Sequence, residues 1–276
     1  MSDDVKRSAI TLYDRFTHGQ MERRDFMAKM VGLTGSIAAA NALIGTIAAR
    51  ADAAPLSNPA DPRLNTRHQL IAGIKAYVAE PTTKSLKPTV VVIHENRGLN
   101  EHTRDVARRV ALAGYRAVAP DFLTVAGGTP NNEDKAREMI GKLDLSALSA
   151  SAVAMLRELE KSSRGGKVGA VGFCWGGGMV NRLAVAAGRT LDAGVVYYGP
   201  APAMAEAVRV QAPLMIHLAG LDNRIAETEF PWIGALRLAG KKVTYFDYPN
   251  VDHAFNNDTS AERYNRAAAM LAWRRT

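Results

Sequence analysis

A chain of 276 residues, 47% hydrophobic and 22% charged, has the composition of an ordinary globular protein and the length to bury one large core. Its formal net charge is +8, yet the basic residues are scattered, with no long run and no interleaved aromatics, which argues against nucleic-acid binding. The single cysteine, Cys174, excludes an intrachain disulfide.

The N-terminal fifth reads apart from the rest. The pair Arg23-Arg24 precedes a weakly apolar stretch, 30–49, rich in Ala and Gly and followed by Arg50. Ala51-Asp52-Ala53 then offers small residues at the two positions a signal peptidase reads. This is the pattern of a twin-arginine export signal with cleavage after Ala53. It implies the twin-arginine export machinery as a partner and a periplasmic or secreted location. The stretch is poor in bulky side chains, so no stable membrane span is expected after cleavage. Residues 1–53 are therefore set apart from the fold, although the lead-in 1–20 is unusually long for such a signal. Residues 54–69, rich in Pro and Ala at their start, read as a linker to one domain over 70–276.

Residues 70–80 alternate loosely, as an antiparallel lead strand would. The run 89–94 is continuously β-branched up to its histidine, as in a strand buried on both faces. Helical periodicity over 100–113 stops at Gly114, and a strand over 115–119 closes at Pro120-Asp121. After the loop 127–132 come helices over 133–142 and 146–161, a turn at Arg164-Gly165-Gly166, a strand over 168–171 and a helix over 178–187. Strands over 193–197, 213–218 and 243–248 follow, with helices over 227–238 and 260–274. Strands alternating with helices imply an α/β fold with a mostly parallel central sheet and helices on both faces.

Cys174 lies in Gly172-Phe173-Cys174-Trp175-Gly176, between a predicted strand and a predicted helix. A nucleophile held on so sharp a turn needs small residues two positions to either side, and glycines stand at both. This is a nucleophile elbow with sulfur in place of the usual serine oxygen. Asp222 and His253 follow in the order such a fold requires, each just past the end of a predicted parallel strand. A helix N-terminus and a neighbouring imidazole both favour the thiolate. His253 would take the thiol proton and Asp222 would fix its tautomer. The backbone N–H groups of Trp175 and Asn96 are the candidate oxyanion donors. Glu95, directly after the buried strand, needs a partner, the thiol or the imidazole being the obvious ones. Asp252 is the competing carboxylate. The spacing of His94, Glu95, Glu101 and His102 matches no standard ligand pattern, so no metal is expected.

Together these residues resemble the dienelactone hydrolases (carboxymethylenebutenolidases), enzymes of the α/β-hydrolase fold. The likeness rests on the cysteine elbow, Glu95, Gly220-Leu221-Asp222 and Asp252-His253-Ala254-Phe255, and it runs from residue 70 to the C-terminus. The segment His94-Glu95-Asn96-Arg97-Gly98-Leu99-Asn100 and the twin-arginine leader are similar to an exported subgroup. The resemblance implies Cys174 as nucleophile, His253 as base, Asp222 as orienting acid and Glu95 as a switch that holds the thiol at rest and accepts its proton when substrate binds. The reaction would be hydrolysis of a small-molecule ester or lactone through a thioester acyl-enzyme, with no metal or organic cofactor.

Two features depart from the family. Its arginines grip a substrate carboxylate, but this chain has Asn257 four residues after His253 and no arginine in 122–125. Dienelactone itself is therefore not the expected substrate. Arg97 offers a replacement charge, and Tyr198 and Asn257 are further candidate substrate contacts. The sequence stops at Thr276, where the family's last helix usually continues. The alternatives are a thioesterase or esterase of another α/β-hydrolase branch, or a redox-sensing thiol protein, which would lack a second cysteine to resolve a sulfenic acid.

Overall fold

Among the described residues eight strands form one sheet in the order β1-β2-β4-β3-β5-β6-β7-β8. They are β1 (Leu64–Ile71), β2 (Ile74–Pro81), β3 (Thr89–Ile93), β4 (Arg116–Pro120), β5 (Val168–Phe173), β6 (Ala193–Tyr197), β7 (Leu214–Ala219) and β8 (Val243–Tyr248). The computed structural model describes residues 2–48, 55–83, 88–163 and 166–276. β2 pairs antiparallel with β1 and β4, and every other pairing is parallel. The chain runs from β3 to β4 on one side and later to β5 on the other. This reversal makes β3 and β5 a topological switch point, where open α/β sheets place their sites.

The lead strand is a hairpin rather than a single run. Ala72 and Gly73 both take positive φ, 47° and 79°, the geometry of a two-residue hairpin turn. Residues 64–69, read above as the end of a linker, therefore belong to β1. Most of their side chains are exposed, so they carry no alternating apolar signal to find. The β-branched run of β3 splits between two cores. Val91 and Ile93 join one, and Val92 joins the other.

The helices around the sheet are α4 (Glu101–Leu112), α5 (Glu133–Gly141), α6 (Leu145–Ser162), α7 (Trp175–Ala186), α8 (Asn223–Leu238) and α9 (Arg266–Arg275). One core packs Leu156 of α6, Leu183 of α7 and Trp232 of α8 against the sheet, and the other packs Val106 of α4 and Ala272 of α9. Asp222 caps α8 by accepting from the Ile225 N–H at 3.2 Å, so that helix starts earlier than expected. α9 starts later than the predicted residue 260, because Asn265 caps it and 256–264 fold as turns.

The N-terminal residues set apart above also fold. They form α1 (Asp3–Thr17), α2 (Arg23–Thr34) and α3 (Ile37–Ile47), around a small core of Tyr13, Phe26, Met30, Leu43 and Ile47. This arm lies against the sheet body through ion pairs Lys6–Glu262 (3.3 Å), Arg23–Asp134 (3.3 Å) and Asp14–Arg263 (3.1 Å). Among the described residues no single helix is long and apolar enough to cross a membrane, and α2 and α3 are bent 105° from each other. The expected cleavage position after Ala53 lies outside the described residues.

Candidate active site

The turn between β5 and α7 puts Cys174 at φ 54° and ψ −117°, a region a side chain enters only under constraint. The constraint comes from its neighbours. The Cys174 N–H donates to the Tyr197 carbonyl at 3.0 Å, and its own carbonyl accepts from Gly178 at 3.2 Å as α7 begins. A Cβ at Gly172 would collide with the Gly176 carbonyl, and one at Gly176 with the carbonyls of Ile93 and His94. The elbow therefore cannot close without both glycines. Tyr198 (φ 39°) and Ala254 (φ 65°), beside the site, are strained in the same sense. Such strain costs on the order of 1–3 kcal/mol per residue and gathers at functional sites.

His253 and Asp222 stand on the loops after β8 and β7. His253 Nδ1 donates to Asp222 Oδ2 at 2.5 Å, and Asp252 does not take that place. Burial alone would push the His253 imidazole down, but the facing Cys174 and Asp222 outweigh it and raise its pKa to about 10. Burial pushes the Asp222 carboxyl up, and His253 and Arg224 together hold it below its ordinary value. The remaining ring nitrogen, Nε2, is buried and makes no hydrogen bond among the described residues.

Glu95 finds other partners than the thiol or imidazole expected. Its Oε2 accepts from Asn257 Nδ2 at 2.7 Å and its Oε1 from the Tyr198 hydroxyl at 3.5 Å. Burial, then Glu95 and Cys174, keep the Tyr198 phenol well above its ordinary pKa and so a donor. Tyr198 also meets the His253 ring edge-on at 5.0 Å. The Trp175 ring stacks on His94 at 5.3 Å and meets Phe122 edge-on, so that side chain serves packing. Arg97 donates to Glu133 and to the Tyr13 hydroxyl. His102 pairs with Asp258 and Glu101 with Arg108, away from the thiol.

A residue the sequence reading did not find completes the group. His18, just past α1, approaches Cys174 Sγ with Nε2 at 3.3 Å and meets the His253 ring edge-on at 4.9 Å. Its Nδ1 donates to the Asp14 carbonyl at 2.7 Å, which leaves Nε2 as the acceptor. The only local trace is the α1 pattern itself: Ser2 as N-cap and buried Ala9, Ile10, Tyr13 and Thr17 at helical spacing. One ligating atom each of His18, Cys174 and His253 lie within 4.8 Å of one another, a soft donor set a zinc-like ion could use. The guanidinium of Arg224, 3.3 Å from His18 Nε2 and 3.5 Å from His253 Nδ1, sets a fixed positive charge against any cation there.

A thiol on a strand–turn–helix elbow, with histidine and aspartate on the loops after the last two parallel strands, is the architecture of an α/β hydrolase. The chain belongs to the dienelactone hydrolase family, whose model matches residues 74–276. It is 33% identical over 217 residues to a protein of Escherichia coli (strain K12) provisionally described as a carboxymethylenebutenolidase, covering 72% of this chain and 79% of that one. It is 54% identical to the hydrolase fragment YghX of the same organism, provisional in the same way, over 72 residues, 26% of this chain and 62% of that one. A crystal structure of a provisionally assigned dienelactone hydrolase from Klebsiella pneumoniae superposes with a TM-score of 0.69 at 27% identity, covering 77% of this chain and 96% of that one. The protein is thus a hydrolase of ester or lactone bonds, with a small-molecule substrate of that class.

Proposed function

We propose that the protein is a cysteine-dependent carboxylic ester or lactone hydrolase that works through a thioester acyl-enzyme and reaches the periplasm or beyond by twin-arginine export. The observation that carries the catalytic reading is the 2.5 Å bond from His253 Nδ1 to Asp222, beside a thiol fixed at the elbow. Asp222 leaves His253 Nε2 to serve the thiol and stabilises the imidazolium. Sulfur, its proton already held by His253, attacks the carbonyl carbon. The oxyanion is met by the Trp175 N–H, free of an intrahelical partner in the first turn of α7, and by the Asn96 N–H. The tetrahedral intermediate collapses with the alcohol leaving, and that oxygen takes the proton from His253. Water, deprotonated by His253, then attacks the thioester and releases the acid and the thiol. Glu95 acts as the switch for the resting thiol, its carboxylate held by Asn257 and Tyr198 until substrate arrives.

Cys174 should acquire an acyl group from short p-nitrophenyl esters or small lactones, read by intact mass, with turnover, in the full chain or in the form cleaved after Ala53, and the panel is run on both. Cys174→Ala should abolish both. A thiol that reacts with alkylating agents while giving neither adduct nor turnover across the panel would favour the redox-sensing alternative. The export reading is supported by Arg23-Arg24 and the small residues at 51 and 53. Replacing both arginines by lysine should hold the protein in the cytoplasm on cell fractionation. Unaltered periplasmic recovery would remove that part of the proposal.

A further inference from the structure

The groups proposed for substrate are occupied by the chain itself. His18 Nε2 faces Cys174 Sγ at 3.3 Å, the Thr17 carbonyl accepts from Asn96 Nδ2 at 3.1 Å, and the Tyr13 hydroxyl takes the Arg97 guanidinium. Asp14 pairs with the buried Arg263 at 3.1 Å, and the Ile47 carbonyl accepts from the Ser260 hydroxyl at 2.6 Å. The cavity left beside Cys174 measures about 10 Å³, with Tyr13, Thr17 and His18 forming its arm side. That is room for about one water, whereas pockets that hold small ligands run to several hundred Å³.

We infer that the N-terminal arm, residues 3–47, is an intramolecular ligand of the active site that keeps the hydrolase latent until the arm is lifted away. The inference rests on the hydrolase reading for its consequence, though not for its geometry. The contacts come from Tyr13, Thr17 and His18, within six residues at the end of α1, so one rigid displacement of that helix uncovers the thiol and Asn96 and takes the Tyr13 hydroxyl from Arg97. Two further polar anchors, Lys6–Glu262 at the start of α1 and Ile47–Ser260 at the end of α3, tie both ends of the arm to the segment after His253. If the export signal is cleaved after Ala53, delivery and unmasking are one event.

The test uses the full chain and the double variant Lys6→Glu/Asp14→Arg, which sets like charges against Glu262 and Arg263 and touches neither the thiol nor the triad. Alkylation of Cys174 by iodoacetamide, followed by intact mass, and p-nitrophenyl acetate turnover are read in parallel. Both should rise about tenfold or more over the wild type. His18→Ala, which removes the group on the sulfur and leaves both anchors in place, should raise the labelling rate severalfold and guards against a misfolded double variant. Labelling that is unchanged in both variants overturns the inference. Labelling that rises while turnover stays absent supports latency and sinks the hydrolase reading instead. Turnover in the wild type at the variants' rate leaves the hydrolase reading intact and overturns latency.

Discussion

At Asp222 one carboxylate does two jobs. It orients His253 through Nδ1 and caps α8 through the Ile225 N–H. Asp222→Asn keeps the shape but can present the wrong hydrogen to the imidazole, so kcat should fall by roughly 10³–10⁴-fold. The pair also makes stability depend on pH. The raised His253 pKa contributes stability that is fully present below its ordinary value and lost as pH rises through about 10. The depressed Asp222 pKa contributes stability above the ordinary carboxylate range and loses it as pH falls further. The gap in Tm between wild type and Asp222→Asn should therefore be wide near pH 7 and narrow at pH 10.5; a constant gap would contradict the coupling. Glu229 shows the opposite sign. Burial raises its carboxyl to about 8, and among the described residues only Asn181 donates to it, at 2.6 Å. Ionising it costs progressively more from its ordinary pKa up to about 8, so Glu229→Gln should raise Tm at pH 8.5 and leave it nearly unchanged at pH 4.

At the scale of elements, legibility follows from how local each constraint is. The elbow could be read because two glycines within four residues are forced by backbone contact, a demand written into the adjoining sequence. β3 could be read because both its faces are buried, and Val91 and Val92 serve different cores. β1 could not, since its exposed face carries no apolar period. The start of α9 was hidden because Asn257, Ser260 and Arg263 spend their polar groups on Thr259, on the arm and on one another rather than on a helix. Arg97 was legible as a cation near the site, but its engagement with Glu133 and Tyr13 depends on two elements distant in sequence. The elbow itself is the place to test such a local demand. Gly176→Ala would push a methyl into the carbonyls of Ile93 and His94, so it should cost about 3 kcal/mol or more in denaturant unfolding. An exposed glycine such as Gly141, with nothing near its missing Cβ, should accept alanine with no loss.

At the scale of the whole molecule, the arm is the part the sequence concealed. An Ala-rich stretch after an arginine pair satisfies an export signal and a small helical core equally well, and the contact of His18 with Cys174 spans 156 residues. Its electrostatics nonetheless fix how seating should respond to pH. Burial, then His253 and Arg224, hold the His18 imidazole well below its ordinary pKa, with the Asp14 carbonyl and then Asp222 only partly opposing them. A lifted arm returns His18 to water and to a pKa near ~6.5. Seating is therefore favoured above that value and weakens as pH falls through it, because only the lifted form takes up the proton. Asp14 pulls the other way. Burial raises its carboxyl despite Arg263, so seating gains from acid only where that carboxyl titrates, upward from 3.8. The imidazole, displaced further and titrating first on the way down from neutrality, should dominate between pH 7.5 and 5.5. Hydrogen exchange of the α1 amides, corrected for intrinsic rates, should show protection falling across that interval in the wild type. His18→Gln, which has no proton to take up, should flatten the response. Protection that holds or rises toward pH 5.5 would mean that Asp14, not His18, governs how the arm sits on the thiol.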